Sequence, residues 1–123
     1  MQTYLLVALG GIAGANARYL ASKLAAAHWG VAFPYGTLLI NITGSALLGF
    51  LLVALPLGAG GWRVILATGF CGGYTTFSTF AFETVALTER AQRRGALANA
   101  LGSVALCVGA AALGGLIGHA LVG

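Results

Sequence analysis

The chain has 123 residues, 59% of them hydrophobic and 7% charged, with a mean hydropathy of +0.96. A water-soluble domain carries about a quarter of its residues as charges, so this composition excludes a soluble enzyme or binding module and reads as a membrane protein. The net charge of +4 comes from six basic residues against two acidic ones, scattered between apolar runs; that pattern excludes a nucleic-acid partner, which needs a basic patch, and fits membrane topology.

Met1 to Ala17 is uncharged and Arg18 is the first basic residue. A secretory leader places positive charge ahead of its apolar run. None stands there, so Ala15-Asn16-Ala17 only mimics a cleavage site, and a retained first span is expected over about residues 3–23. Gly10 and Gly14 have the spacing that lets helices approach closely in lipid. From Leu24 to Trp62 there are 39 residues without formal charge, too many for one crossing of about 20. His28, Trp29, Gly30 and Pro34 are expected as a loop, and the second span as residues 34–55. Pro56, Gly58, Gly60 and Gly61 end it. The third span is expected over 63–88: its uncharged run from Val64 to Phe82 is closed by Glu83, helix continues to about Thr88, and the basic loop of Arg90, Arg93 and Arg94 follows. The fourth takes 96–119, with Gly114 and Gly118 again at packing spacing. One transmembrane domain over 1–123 results, with both termini on one side. Cys71 and Cys107 lie in apolar runs with no metal-ligand spacing and read as small packing residues.

The stretch that breaks this regularity is Gly69-Phe-Cys-Gly-Gly-Tyr-Thr-Thr-Phe-Ser-Thr-Phe80. Adjacent Gly72 and Gly73, followed at once by Thr75, Thr76, Ser78 and Thr79, are expected to interrupt the third helix at membrane depth. Other polar residues form stripes. Thr37, Asn41 and Ser45 share a face of the second span, and Asn99, Ser103 and Cys107 a face of the fourth. Thr76 and Thr79 share a face with Glu83, while Phe77 and Phe80 share another. An amide in lipid is costly unless partnered, so Asn41 and Asn99 must face protein or water. Each can serve as interhelical glue, but three polar faces in one small chain favour an ion pathway. Its groups are amide and hydroxyl donors and the positive edges of rings, which suit an anion. A small proton-coupled multidrug exporter is the alternative; it needs an embedded carboxylate, and only Glu83 qualifies.

The 69–80 stretch resembles the signature of the Fluc/CrcB family of fluoride channels. Gly10-Gly-Ile-Ala-Gly-Ala-Asn-Ala-Arg-Tyr19 and Gly36-Thr-Leu-Leu-Ile-Asn-Ile-Thr-Gly44 agree with it, collinearly over about the whole chain. The resemblance implies an all-α membrane protein of four transmembrane helices with a broken third helix. It implies an antiparallel, dual-topology homodimer in the bacterial cytoplasmic (inner) membrane, with two fluoride pores and a central structural Na+. By the same resemblance Phe77 and Phe80 line the pore with Asn41 and Ser103, and Thr37, Thr76, Thr79 and Glu83 continue its polar track. Arg18 stands near a vestibule, and the backbone carbonyls of Gly72 and Thr75 hold Na+. Asn99 stands where some relatives carry a tyrosine, and Cys107 where some carry a serine. The implied activity is passive fluoride export that relieves toxicity, with no enzymatic step. Alternating the loops puts Arg18, Lys23, Arg90, Arg93 and Arg94 on one side and Arg63 on the other. Such a bias normally fixes orientation, so an oppositely oriented paralogue stays open as the partner beside a second copy.

Overall fold

The computed structural model describes every residue from Met1 to Gly123. The chain is helical apart from short connections: α1 (Gln2–Trp29), α2 (Tyr35–Ala54), a 3-10 turn (Leu57–Ala59), α3 (Gly61–Arg63), a π-helical stretch (Val64–Phe70), α4 (Cys71–Tyr74), α5 (Phe77–Glu89) and α6 (Arg93–Val122). The first helix runs further than the loop signals suggest. Ala25 to Ala27 propagate it well, so His28 and Trp29 belong to its last turn. It stops at Gly30, which takes a φ of 73° and returns its N–H to the Ala26 carbonyl. The far end of α2 is closed from outside: Arg63 Nη1 donates to the carbonyls of Leu52 at 3.0 Å and Leu55 at 2.7 Å. Those are carbonyls that the helix cannot satisfy itself, at its negative end.

Small residues set the helix packing. A Cβ on Gly114 would run into the Ala46 carbonyl, and one on Gly49 into that of Ala111, so α2 and α6 meet backbone to backbone. The Gly10 and Gly14 pair does the same for α1 against the π-helical stretch and α4. Close approach of this kind is how helices gain contact in lipid, where burial of apolar surface gives no drive. Leu6 lies beside Gly61, and Gly118 beside Phe50 and Ala54; both termini are therefore at one end. Ala32 and Phe33 share a cavity wall with Arg93 and Arg94 at the other.

The third segment is interrupted, though not at the paired glycines. Gly72 and Gly73 stay inside α4, and the break falls at Thr75 (φ −79°, ψ 161°) and Thr76 (φ −148°, ψ 118°). The glycines serve contact: a Cβ on Gly73 would strike the Gly11 carbonyl, and one on Gly69 would lie 2.9 Å from that of Val7. The hydroxyls serve the break. Thr75 donates both its N–H (3.0 Å) and its Oγ1–H (2.9 Å) to the Cys71 carbonyl, ending α4. Thr76 then caps α5, its Oγ1 accepting the Thr79 N–H at 3.2 Å, the role for which a hydroxyl residue is preferred.

Only 17 of the 123 residues are buried, and long rows of Leu, Val and Ile point outward from α1 and α6. In water such a surface would drive association. Three of the helices are long and apolar enough to cross a membrane, and the outward apolar rows are the surface of a multi-pass membrane protein.

Candidate functional site

Two cavities hold almost all of the expected site residues. The first is a groove of about 390 Å³ bounded by α2, the π-helical stretch, α4, the break, α5 and α6. Asn41, Gly72, Thr75, Thr76, Phe77, Phe80 and Ser103 line it together with Ser45, Thr68, Cys71 and Cys107. The second, of about 350 Å³, lies where the end of α1, the start of α2 and α5 meet. Thr37, Thr79 and Glu83 line it, with Ser22 and Arg90.

Asn41 is the pivot of the first groove. Its Nδ2 donates to the Thr76 carbonyl at 3.0 Å, and its Oδ1 accepts the Thr76 N–H at 2.8 Å. One side chain thus replaces the helical partners of the two peptide groups that flank Thr76 at the break, where an unpaired group costs several kcal/mol, roughly 2–7 by the reference state chosen. One Nδ2 hydrogen remains for the groove. Beyond the clasp, Phe77 and Phe80 lie with ring centroids 5.8 Å apart and planes inclined at 54°. Phe77 is 79% exposed, so this wall of the groove is open on one side. Ser103 is buried on the α6 side, where its hydroxyl donates to Asn99 Oδ1 at 3.5 Å.

Hydroxyls lead from the groove toward the second cavity. Thr76 Oγ1 donates to Thr79 Oγ1 at 3.0 Å, and Thr79 lines the second cavity beside Glu83. Thr37 Oγ1 donates to Glu83 Oε1 at 2.8 Å, while Glu83 Oε2 is buried and has no partner. Arg18 lines neither cavity. Its Nη1 reaches the break and donates to the Thr75 carbonyl at 3.3 Å.

Asn99 is absorbed by packing. It is 2% exposed, and its Nδ2 donates to Thr84 Oγ1 at 2.8 Å, joining α6 to α5. Thr84, which the stripes did not single out, also donates to the Phe80 carbonyl. Its signal is the four-residue step from Phe80, a position from which Thr bonds back to its own helix. The first groove therefore offers amide, hydroxyl and ring-edge partners with no carboxylate among its lining residues, a set suited to holding an anion loosely.

A family model described as "CrcB-like protein, Camphor Resistance (CrcB)" matches residues 5–115. The chain belongs to the CrcB family. The matched CrcB region takes in both cavities, the break and Arg18. Among curated relatives, the "Fluoride-specific ion channel FluC" of Coxiella burnetii (strain Dugway 5J108-111) is 49% identical over 121 residues, covering 95% of this chain and 98% of the relative. The protein of that name in Koribacter versatilis (strain Ellin345) is 45% identical over 113 residues, 89% of this chain and 90% of its own. "Fluoride-specific ion channel FluC 1" of Leifsonia xyli subsp. xyli (strain CTCB07) is 49% identical over 113 residues, 89% and 82% of the two chains.

Proposed function

We propose that the chain is the subunit of a passive, fluoride-selective channel that exports fluoride across the bacterial cytoplasmic membrane. The observation that carries this reading is the first groove, where Asn41, Ser103 and the edges of Phe77 and Phe80 converge without a carboxylate. The names of the CrcB relatives give the ion. Fluoride is small and strongly hydrated, so a pore has to replace its water with short donor contacts and still release it. Asn41 keeps one Nδ2 hydrogen for this, the Ser103 hydroxyl can turn to the ion from its long 3.5 Å bond to Asn99 Oδ1, and ring edges add a diffuse positive partner. Thr76, Thr79 and Thr37 continue the track, and Glu83 stands at its far end. No energy coupling is needed, because a negative-inside potential favours anion exit by about 2.3 kcal/mol per charge per 100 mV.

The working unit is an antiparallel dimer with two pores. The exposed ring of Phe77 and the open side of the groove support it, since a second subunit can close the wall that one subunit leaves bare. The partner is a second copy in dual topology, or an oppositely oriented paralogue. A structural Na+ belongs at the break, held by the Gly72 and Thr75 carbonyls. The donor set fits. The Thr76 N–H that would serve the Gly72 carbonyl in a continuous helix goes to Asn41 instead, which leaves a hard, neutral oxygen of the kind a small cation takes. Bound there, the ion would add positive charge near an anion's path.

The test is Phe80→Ile in proteoliposomes. Fluoride efflux should fall by about fivefold or more if the ring edge contributes on the order of 1 kcal/mol or more to the permeating ion, while the elution volume in detergent stays unchanged. Efflux equal to wild type would remove the ring edge from the pathway.

A further inference from the structure

Arg18 is carried to the break by the face of α1 that packs on the third segment. Gly10, Gly14 and Arg18 follow at four-residue spacing. A Cβ on Gly10 would meet Gly69 and Phe70 backbone, and one on Gly14 would meet that of Phe70 and Tyr74. One turn further on, the half-buried Arg18 donates to the Thr75 carbonyl at 3.3 Å. The chain has only two acidic residues to neutralise it. Glu83 is bonded to Thr37, and Glu89 is the last residue of α5, three turns beyond the break. The guanidinium therefore rests on a neutral carbonyl.

That carbonyl is one of the two assigned to the cation. We propose that Arg18 competes with a metal cation for the Thr75 carbonyl and thereby makes the site weak and selective for singly charged ions. The inference rests on the cation site proposed above. Two positive charges on one oxygen repel each other. The guanidinium sits on a long, flexible stem and can swing away, so a monovalent ion displaces it at the cost of one hydrogen bond. A divalent ion meets twice the repulsion and finds no carboxylate among the groove-lining residues to offset it. Arg18 is a positioning residue here, acting on the ion through a shared ligand.

The experiment follows thermal unfolding of the purified full-length chain in detergent, as NaCl replaces N-methyl-D-glucamine chloride at constant ionic strength. Arg18→Gln should lower the Na+ concentration for half-maximal stabilisation by at least about fivefold, the water-screened repulsion of two unit charges about 4 Å apart. Millimolar CaCl2 should leave wild type unshifted and stabilise Arg18→Gln. Equal Na+ dependence in the two proteins overturns the competition while leaving the cation site standing. No Na+ response in either overturns both. Where Arg18→Gln does not fold, wild type alone decides: stabilisation by millimolar Ca2+ as strong as that by Na+ contradicts the proposal, and its absence beside a Na+ response upholds it.

Discussion

The side chain of Asn41 holds both backbone groups of Thr76, donating to its carbonyl at 3.0 Å and accepting its N–H at 2.8 Å. The contact joins α2 to the point where the third segment loses its helical ladder, so one residue both stabilises the break and faces the groove. Asn41→Ala leaves two buried peptide groups unpaired, each costing about 1–3 kcal/mol. Its unfolding temperature should fall clearly below that of wild type, and fluoride efflux should be lost. Asn41→Asp keeps the acceptor for the Thr76 N–H and should recover part of the stability, but not anion flux past a carboxylate. An Asn41→Ala protein as stable as wild type would show that the clasp is not formed.

The adjacent glycines should behave differently. A Cβ at Gly73 meets the Gly11 backbone, whereas nothing lies within 4 Å of one at Gly72. Gly73→Ala should destabilise by about 1–3 kcal/mol, as overpacking does, and Gly72→Ala should leave the stability of the isolated subunit unchanged. A chemical-denaturation series in detergent measures both. Equal losses at the two positions would mean that another surface covers Gly72.

Asn99 and Thr84 bond across α5 and α6 at 2.8 Å, away from the first groove's lining. A double-mutant cycle with Asn99→Leu and Thr84→Val should give a coupling of about 0.6 kcal/mol and at most about 1.7, the span found for such bonds within membranes. Each single variant should still conduct fluoride. A coupling near zero would contradict the bond.

Glu83→Gln keeps an oxygen for the Thr37 hydroxyl and removes the carboxylate from the second cavity. Passive conduction should survive it, with efflux still electrogenic and no accompanying proton movement. A proton-coupled exporter would lose all transport, so abolished flux together with substrate-linked proton movement in wild type would restore that reading.

Much of the helical frame was legible in the sequence. Uncharged runs bounded by Pro34, Pro56, the Gly58–Gly61 cluster and the arginine loop mark the long helices, and Gly10, Gly14, Gly114 and Gly118 stand at the contacts their spacing implies. The position of the break was less legible, because glycine in lipid serves two purposes. It can loosen a helix or bring two backbones together, and only the presence of Gly11 opposite Gly73 decides which. The end of α1 was masked by Trp29 and Gly30, which read as a loop although Ala25 to Ala27 carry the helix on. Contacts between distant residues left no local trace. Asn41 finds Thr76 across 35 positions and Arg18 finds Thr75 across 57. Arg63, which looked like a topology charge, spends its donors on the end of α2. The stripes were divided by the structure: Asn41, Ser45, Thr76, Ser103 and Cys107 line the first groove and Thr37, Thr79 and Glu83 the second cavity, while Asn99 lines neither, because a four-residue period fixes a face but not what stands opposite it.

The central claim is most directly tested with the wild-type chain alone in liposomes loaded with potassium fluoride or potassium chloride, with valinomycin added to release the potential. Expected is rapid valinomycin-dependent fluoride efflux with chloride retained as in empty vesicles. Fluoride efflux no faster than from empty vesicles, or chloride leaving as fast as fluoride, would contradict a fluoride-selective channel.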